Sequence, residues 1–435
     1  MIVPTPRFLL LAAVSALPLA AFGGTPPAAA FAVAWNLLLV VFAAFDATRI
    51  PSPSEVQVTR TVPGRIFHQV PVDVGFTVRN TARLTVRFQL TDDLPAGFSR
   101  TELVSEDTVE PSSRLDVSRV LVAESRGAFE LGDVHVRFGS PLGLVVRTAK
   151  VHLKDPVKVF PAVGRGSRGP LDALRRHPDR GARPSRGRGE GSDFESLRDY
   201  VPGDDPGDIA WKATARRTRL TTRNYEPDRS QVVLVVLDSG RLMATEVEGK
   251  TRLDHAVEAT LRLAFSAAAQ GDSIGVLAAS DEIEAYVPPV RGKAALPRLN
   301  EALYRLEPRP RETSYERACG YLALRHRKRS LIVVVTDLVD NEASSALLSH
   351  LARFSRRHVA LCVVLRNLDL ERLAGTRPET AEDAYAQTVA LDLLERRRVA
   401  IEHMERSGVD VLDVDPRALG PRLVTRYLAL RKRVA

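Results

Sequence analysis

The sequence predicts a multi-domain chain: an N-terminal transmembrane helical hairpin, a β-sandwich, and an α/β domain with a mostly parallel sheet. Three observations predict it. Two apolar runs lie within the first 50 residues, apolar and polar residues alternate with period two between residues 55 and 160, and continuous Val/Leu/Ile runs separated by helical patterns begin at Gln231. The divisions fall at residues 1–50 for the two membrane helices and 51–162 for the sandwich. A basic Gly/Arg/Pro linker covers 163–192, a charged segment 193–229, and the α/β domain 230–435.

At the N-terminus, residues 8–22 are apolar apart from Ser15 and Pro18, and residues 28–45 are apolar apart from Asn36. A helix of the second length spans about 27 Å, close to the hydrocarbon thickness of a bilayer, whereas the first run is short for a span. Arg7 precedes the pair, Arg49 and Arg60 follow it, and the connecting Gly23, Gly24, Thr25, Pro26 and Pro27 carry no charge. The positive-inside rule then places both ends and the large domains on the cytoplasmic side. A rival expectation makes the first run a cleaved signal peptide, given the small residues at Ala20 and Ala21.

The next region contains segments such as VDVGFTVRN and RLTVRFQLTD, bounded by turn residues. Six to eight short antiparallel strands over about a hundred residues suggest an immunoglobulin-like or fibronectin-like sandwich. Asn80, at a strand end, reads as a turn residue. Nothing in this region looks catalytic, so it is expected to serve interaction or spacing.

A net charge of +9 raises nucleic acid as a partner, but aromatic residues make up only 6% and the positive excess is partly local. Residues 165–188 hold eight arginines with Asp172 and Asp179 the only acids. This stretch is expected to be a flexible linker with no nucleic acid bound, contact with anionic lipid headgroups being an alternative use. The two cysteines, Cys319 and Cys362, sit in apolar patterns without metal-ligand spacing, as buried thiols of a core do.

After Gln231, strands VVLVVLD, SIGVLAAS, LIVVVT and HVALCVVL alternate with helices predicted near residues 252–269, 294–306, 314–327 and 343–356. A long charged helix near 381–405, a strand near 409–414 and a helix near 417–433 follow. Such strands indicate a sheet buried on both faces, and ligands of such sheets sit at the strands' C-terminal ends. Asp238 and Asp337 stand at two of those ends. Ser273 in Gly271-Asp272-Ser273 opens a strand instead of following one, so it lacks a nucleophile elbow. His350 and His358 are expected at the surface, and no phosphate-binding loop occurs.

Residues 194–229 carry R-x-Y-x-x-G-D-D (Arg198, Tyr200, Gly203, Asp204, Asp205) and I-x-W-x-x-x-A-R (Ile209, Trp211, Ala215, Arg216). This run resembles the signature of the bacterial family called domain of unknown function 58, and residues 126–147 and 155–161 are similar to the same family. The resemblance implies a von Willebrand factor A-like C-terminal domain. It also implies residence in the bacterial inner membrane and a partner of the MoxR type of AAA+ ATPase, in a chaperone-like assembly or maturation system. The carboxylates and guanidiniums of the signature read best as a partly buried docking lattice with Trp211 as its apolar anchor.

Von Willebrand A domains often bind Mg²⁺ through D-x-S-x-S, a Thr and a second Asp. The corresponding positions here are Asp238, Gly240, Leu242, Thr313 and Asp337. Gly240 and Leu242 lack the hydroxyls that such a site uses, so no cofactor is expected, with Asp238 instead paired to Arg241 or capping a helix. The expected function is a non-enzymatic, membrane-anchored adaptor. The alternatives are an envelope-associated hydrolase with an active site of unfamiliar type, or a metal-dependent adhesion module.

Overall fold

The computed structural model describes residues 1–100, 105–162, 193–201, 206–226, 230–338 and 341–434. The basic linker and Gly203, Asp204 and Asp205 lie outside the described residues. The chain divides into two units, Met1–Ala162 and Val163–Ala435.

The first unit is built on antiparallel sheets. One sheet orders Ile2–Pro4, Val145–Val151, Val134–Gly139, Val86–Asp92 and Ser105–Val109, and a second orders Val56–Thr61, Val72–Asn80, Arg114–Ala123 and Phe98–Arg100. The alternation in sequence becomes alternation in space: Val74, Phe76 and Val78 join Val86, Phe88, Leu90, Val134, Val136 and Phe138 in one core. A three-stranded sheet, Ile66–Phe67, Asp155–Phe160 and Gly127–Leu131, surrounds a smaller core. The described strands outnumber the six to eight expected, because short segments such as Ile66–Phe67 carry too little alternation to register. Asn80 is fully buried, and its amide bonds Leu84 O at 2.8 Å and Glu110 O at 3.0 Å while accepting from Ala82 N at 2.9 Å. It organises the turn from inside.

The second unit contains a six-stranded sheet with β1 (Val232–Asp238), β2 (Ser273–Ala279), β3 (Ile283–Arg291), β4 (Leu331–Thr336), β5 (Val359–Leu365) and β6 (Asp410–Val414). Its order is β3-β2-β1-β4-β5-β6, with all pairs parallel except β2–β3. Residues of β1 divide by parity: Val233, Val235 and Leu237 face one core, and Val232, Leu234 and Val236 the other. Helix Arg252–Ala269 packs into the first core and helix Tyr315–Arg325 into the second. An uninterrupted apolar run is what a strand covered on both faces requires. Strand order reverses between β1 and β4, which makes the ends of those two strands the switch point where ligands of open α/β sheets bind. A separate hairpin, Asp193–Asp199 with Thr221–Glu226, encloses the short helix Trp211–Arg217.

Among the described residues, Pro26–Thr48 is long and apolar enough to cross a membrane, and Val33, Leu37 and Val41 along it are exposed. The shorter first run divides into helices Pro6–Ala13 and Ala16–Ala21. Pro18 lacks an N–H, and its ring crowds the carbonyl of Val14, so the helix breaks there. The polar residues of the two runs meet: Asn36 Nδ2 donates to Ser15 Oγ at 2.9 Å, and Trp35 Nε1 to Leu11 O at 2.8 Å. Near the end of the long helix, Asp46 is completely buried and accepts from Leu142 N at 3.0 Å and Leu144 N at 3.2 Å.

Asp46→Ala leaves the buried Leu144 amide and the partly buried Leu142 amide without their acceptor, the buried one at a cost of about 1–3 kcal/mol. Hydrogen exchange of the full chain in detergent should show lost protection at Leu142 and Leu144, with Leu234 in the other unit unchanged. Unaltered exchange at both would mean that Asp46 does not hold the loop.

Candidate functional site

The switch point brings Asp238, Thr313 and Asp337 together, with Thr336, which the sequence did not single out, beside them, but their chemistry is directed inward. Asp238 is buried at the end of β1. Its Oδ1 accepts from Gly240 N at 2.8 Å and from the Thr313 hydroxyl, while Oδ2 accepts from Tyr315 OH at 2.9 Å and Thr336 Oγ1 at 2.6 Å. Four donors therefore converge on one carboxylate. Burial and the neighbouring Asp238 charge push the Tyr315 phenol well above its ordinary pKa, so it stays protonated as a donor.

Asp337, just beyond β4, pairs with Arg252, the first residue of helix Arg252–Ala269. Both side chains are buried, and Arg252 is among the largest fully buried residues described. Burial raises the Asp337 pKa despite the opposing guanidiniums of Arg252 and Arg397. Arg252 Nε and Asp337 Oδ1 have no hydrogen-bond partner among the described residues. Helix entry fixes the arginine: the Thr251 hydroxyl caps Asp254 N at 3.1 Å, Asp254 Oδ2 accepts from Thr251 N at 2.8 Å, and Arg252 N bonds Thr245 O at 2.9 Å. Arg252 carries no motif that would single it out in the sequence.

As a Mg²⁺ site this arrangement does not fit. Gly240 and Leu242 supply no side-chain oxygen, and a Cβ at Gly240 would stand 2.5 Å from Thr313 Oγ1 and 2.9 Å from Arg311 O. A serine there would need the loop to move. The Thr313 hydroxyl is committed to Asp238, and a buried guanidinium already occupies the carboxylate of Asp337. Mg²⁺ demands near-octahedral oxygen ligation, which this donor set cannot supply. The expected Asp238–Arg241 pair is also replaced: Arg241 reaches outward to Glu312 at 2.9 Å, and both are exposed.

Beside this apex lies a cleft of about 770 Å³ lined by Asp281, Glu284, Arg305, Arg309 and Arg311 among others. Arg309 pairs with Glu284 at 3.3 Å and Arg311 with Asp281 at 3.1 Å, while Ser239 Oγ donates to Glu284 Oε1 at 3.0 Å. Its charges alternate in sign and lie mostly at the surface. Sequence reading overlooked it because the residues come from three separated loops and strands.

In the signature segment, Tyr200 N bonds Leu220 O at 2.8 Å, joining the two arms of the hairpin. Ile209 is buried and bridges to Thr222. Arg198 and Arg216 belong to the described residues, Arg216 being exposed on helix Trp211–Arg217. Trp211 contradicts the buried-anchor expectation, since it is 67% exposed at the start of that helix. Ile209 and Ala210, the two residues immediately before the helix, take the inward positions instead.

A family model described as "Protein of unknown function DUF58" matches residues 196–405. Over those residues the chain matches the DUF58 family. The matched region spans both the hairpin that carries the signature and the sheet with Asp238 and Asp337. Among relatives of this chain, "Uncharacterized protein YeaD" of Bacillus subtilis (strain 168) is 30% identical over 173 residues, covering 38% of this chain and 43% of its own length. "Uncharacterized protein Rv1480" of Mycobacterium tuberculosis (strain ATCC 25618 / H37Rv) is 23% identical over 209 residues, covering 47% of this chain and 65% of its own length. The chain thus spans less than two thirds of the length of either relative. The crystal structure of conserved hypothetical protein BatB from Bacteroides thetaiotaomicron is 12% identical, with a TM-score of 0.34, and covers 47% of this chain and 100% of its own.

Elsewhere in the second unit, Asp272 of the Gly271-Asp272-Ser273 turn is fully buried and accepts from Gln231 N at 2.9 Å, Arg431 Nε at 2.9 Å and the Tyr427 hydroxyl. It ties the closing helix to the sheet. Cys319 and Cys362 are buried free thiols with pKa pushed up to about 12 by burial. His358 corrects the surface expectation: it is 7% exposed and packs against His326 at 6.4 Å between ring centroids.

Two outcomes follow from these contacts. Arg252→Met should cost about 3–5 kcal/mol in denaturant unfolding of the full chain, because Asp337 is left buried and unpaired, and Asp337→Leu added to it should recover most of the loss. Burial, then the neighbouring His326 and Arg357 charges, lowers the His358 pKa, so the folded state favours the neutral ring. Its contribution is therefore present above about pH 6.5 and lost as pH falls through the depressed folded value. His358→Gln should flatten stability against pH over that window, and an unchanged slope would contradict the assignment.

Proposed function

We propose that this chain is a membrane-anchored, non-enzymatic adaptor whose α/β domain presents a protein-docking apex, with a MoxR-type AAA+ ATPase as the partner that family resemblance implies. The observation that carries this reading is that Asp238 is saturated by internal donors and Asp337 is paired with the buried Arg252, at the place on the sheet where a ligand is expected. A hydrolase would need a positioned nucleophile with an accessible base, and an adhesion module would need open carboxylate oxygens. The neighbouring cleft, edged by charges of both signs, suits a polar protein surface.

A von Willebrand factor A-like assignment is supported by the strand order with one antiparallel edge strand, β3. For the first unit, an immunoglobulin-like sandwich is supported by the shared core of its two larger antiparallel sheets. Anchoring rests on Pro26–Thr48. A hairpin is supported by the Ser15–Asn36 and Trp35–Leu11 hydrogen bonds between the two apolar runs. Retention of the first run is supported by Ile2–Pro4, which pairs with Val145–Arg147 as a strand. Cytoplasmic placement of the large units rests on Arg7, Arg49 and Arg60 flanking those runs.

Trp211 is the candidate contact residue, since exposed Trp side chains are enriched among residues that dominate protein interfaces. Trp211→Ala should weaken capture of a co-expressed MoxR-type ATPase by roughly 30-fold or more, at about 2 kcal/mol or above. The unfolding midpoint should stay put, because surface substitutions shift stability by about 0.5 kcal/mol or less. Unchanged capture by the variant, or no capture by the native chain, would count against the docking role.

A further inference from the structure

The first unit holds a recess of about 550 Å³ on the outer face of its five-stranded sheet, lined by Arg7, Arg87 and Arg137 together with Thr5, Ser140 and Thr148. We propose that it binds a phosphate group, that of an anionic phospholipid headgroup. The proposal rests on the anchoring reading above and adds a specific lipid contact to it.

Sheet register builds the recess. Arg137 lies opposite Gln89, and Arg87 lies opposite Gly139, so the two arginines are diagonal neighbours on one face. Such positions stand about 7–8 Å apart, close enough for both guanidiniums to reach one phosphate. Gly139 brings no side chain to the gap between them, and the nearest atoms to a Cβ there would be those of Arg87 at 3.9–4.0 Å. Arg7 closes the rim from a different element: its Nη1 stands 3.0 Å from where a Cβ of Gly143 would be, and Gly143 has a φ of +71°. Thr5 holds that arm in place, donating from Oγ1 to Gly143 O at 2.6 Å and from N to Leu144 O at 2.9 Å.

Like charges gathered this way repel unless an anion joins them. Glu106 is the one acid among the described lining residues, opposite Gln89 on the next strand. None of the three arginines makes an ion pair with a described residue, whereas Arg60, Arg100 and Arg119 of the same unit each have an Asp within 3.5 Å. A surface arginine on a strand is usually just solvated. Three from separate segments converging on a concave, net-positive site go beyond that.

Position selects the source of the phosphate. Thr5, Pro6 and Arg7 line the recess and lead directly into helix Pro6–Ala13, where Leu9 and Leu10 are 59% and 70% exposed. The first lipid-facing side chains therefore begin within about one helical turn, roughly 5 Å, of the recess. The headgroup layer of a leaflet is about 5–7 Å thick, so the guanidiniums fall at the level of the lipid phosphates.

The test uses the full chain in neutral-detergent micelles, with bound lipid counted by native mass spectrometry. The wild-type chain should retain phosphatidylglycerol over phosphatidylcholine, and Arg87→Ala/Arg137→Ala should lose roughly 25-fold of that preference, at about fivefold per arginine near an anionic surface. Inorganic phosphate at the concentration of the lipid should not displace it. Equal retention by the double variant overturns the site, and displacement by inorganic phosphate overturns the lipid source in favour of a free anion. Carbonate extraction of membranes separates the underlying reading: both proteins should stay membrane-bound. Release of the wild-type chain would sink the anchor, and with it the lipid source, whatever the micelles show. Hydrogen exchange at Phe88 and Phe138 guards against a variant that has merely unfolded.

Discussion

The structure of the second unit depends on one constraint: a sheet covered on both faces leaves its polar strand ends nowhere to go but its edges. At the β1–β4 edge, Asp238 and Asp337 would each carry a heavy desolvation cost if left without partners. The chain meets that constraint from within. Thr313, Tyr315 and Thr336 hydroxyls and the Gly240 amide surround one carboxylate, and Arg252 meets the other. The groups that do this come from the loop after β1, the start of a helix, the loop before Tyr315–Arg325 and the end of β4, so providing partners for two acids also fixes how four segments meet.

The first unit obeys the same rule in its apolar helices. A buried polar group in an apolar span needs a partner within the protein, and Ser15 with Asn36, and Asp46 with the amides of Leu142 and Leu144, provide them. Within the sheets, Arg119 and Asp92 are both almost fully buried and pair at 3.1 Å. Each of these contacts joins residues distant in sequence, which makes them registers for the fold as much as sources of stability.

The sequence revealed those features whose signal is periodic. Uninterrupted apolar strands, amphipathic helices and alternating sandwich strands follow from burial on two faces, one stripe or one face, and the helix Arg252–Ala269 and the strand ending at Asp238 stand where the pattern puts them. Asp238 and Asp337 were legible as a pair because strand ends are. Arg252 was not, since nothing in its neighbourhood distinguishes a helix-initiating surface arginine from a buried one. Trp211 misled for the converse reason: hydrophobicity argues for burial, yet Ile209 and Ala210 already occupy the inward positions. His358 was misjudged because flanking arginines suggested a surface, while its backbone enters β5.

The identity of the buried cation bears on what kind of apex this is. A divalent ion held by hydroxyls and carboxylates exchanges with solvent and responds to its concentration, and it leaves a coordination position that a partner's carboxylate can fill. A guanidinium does neither. Arg252 is covalently fixed and directs its donors at Asp337 from inside the fold. An apex built this way keeps one geometry whether or not metal is present. In the proposed docking role, recognition at the apex then falls to its perimeter: the paired charges of Glu284, Arg309, Asp281 and Arg311. Such a surface discriminates by shape and charge pattern, which suits a protein partner better than a small ligand.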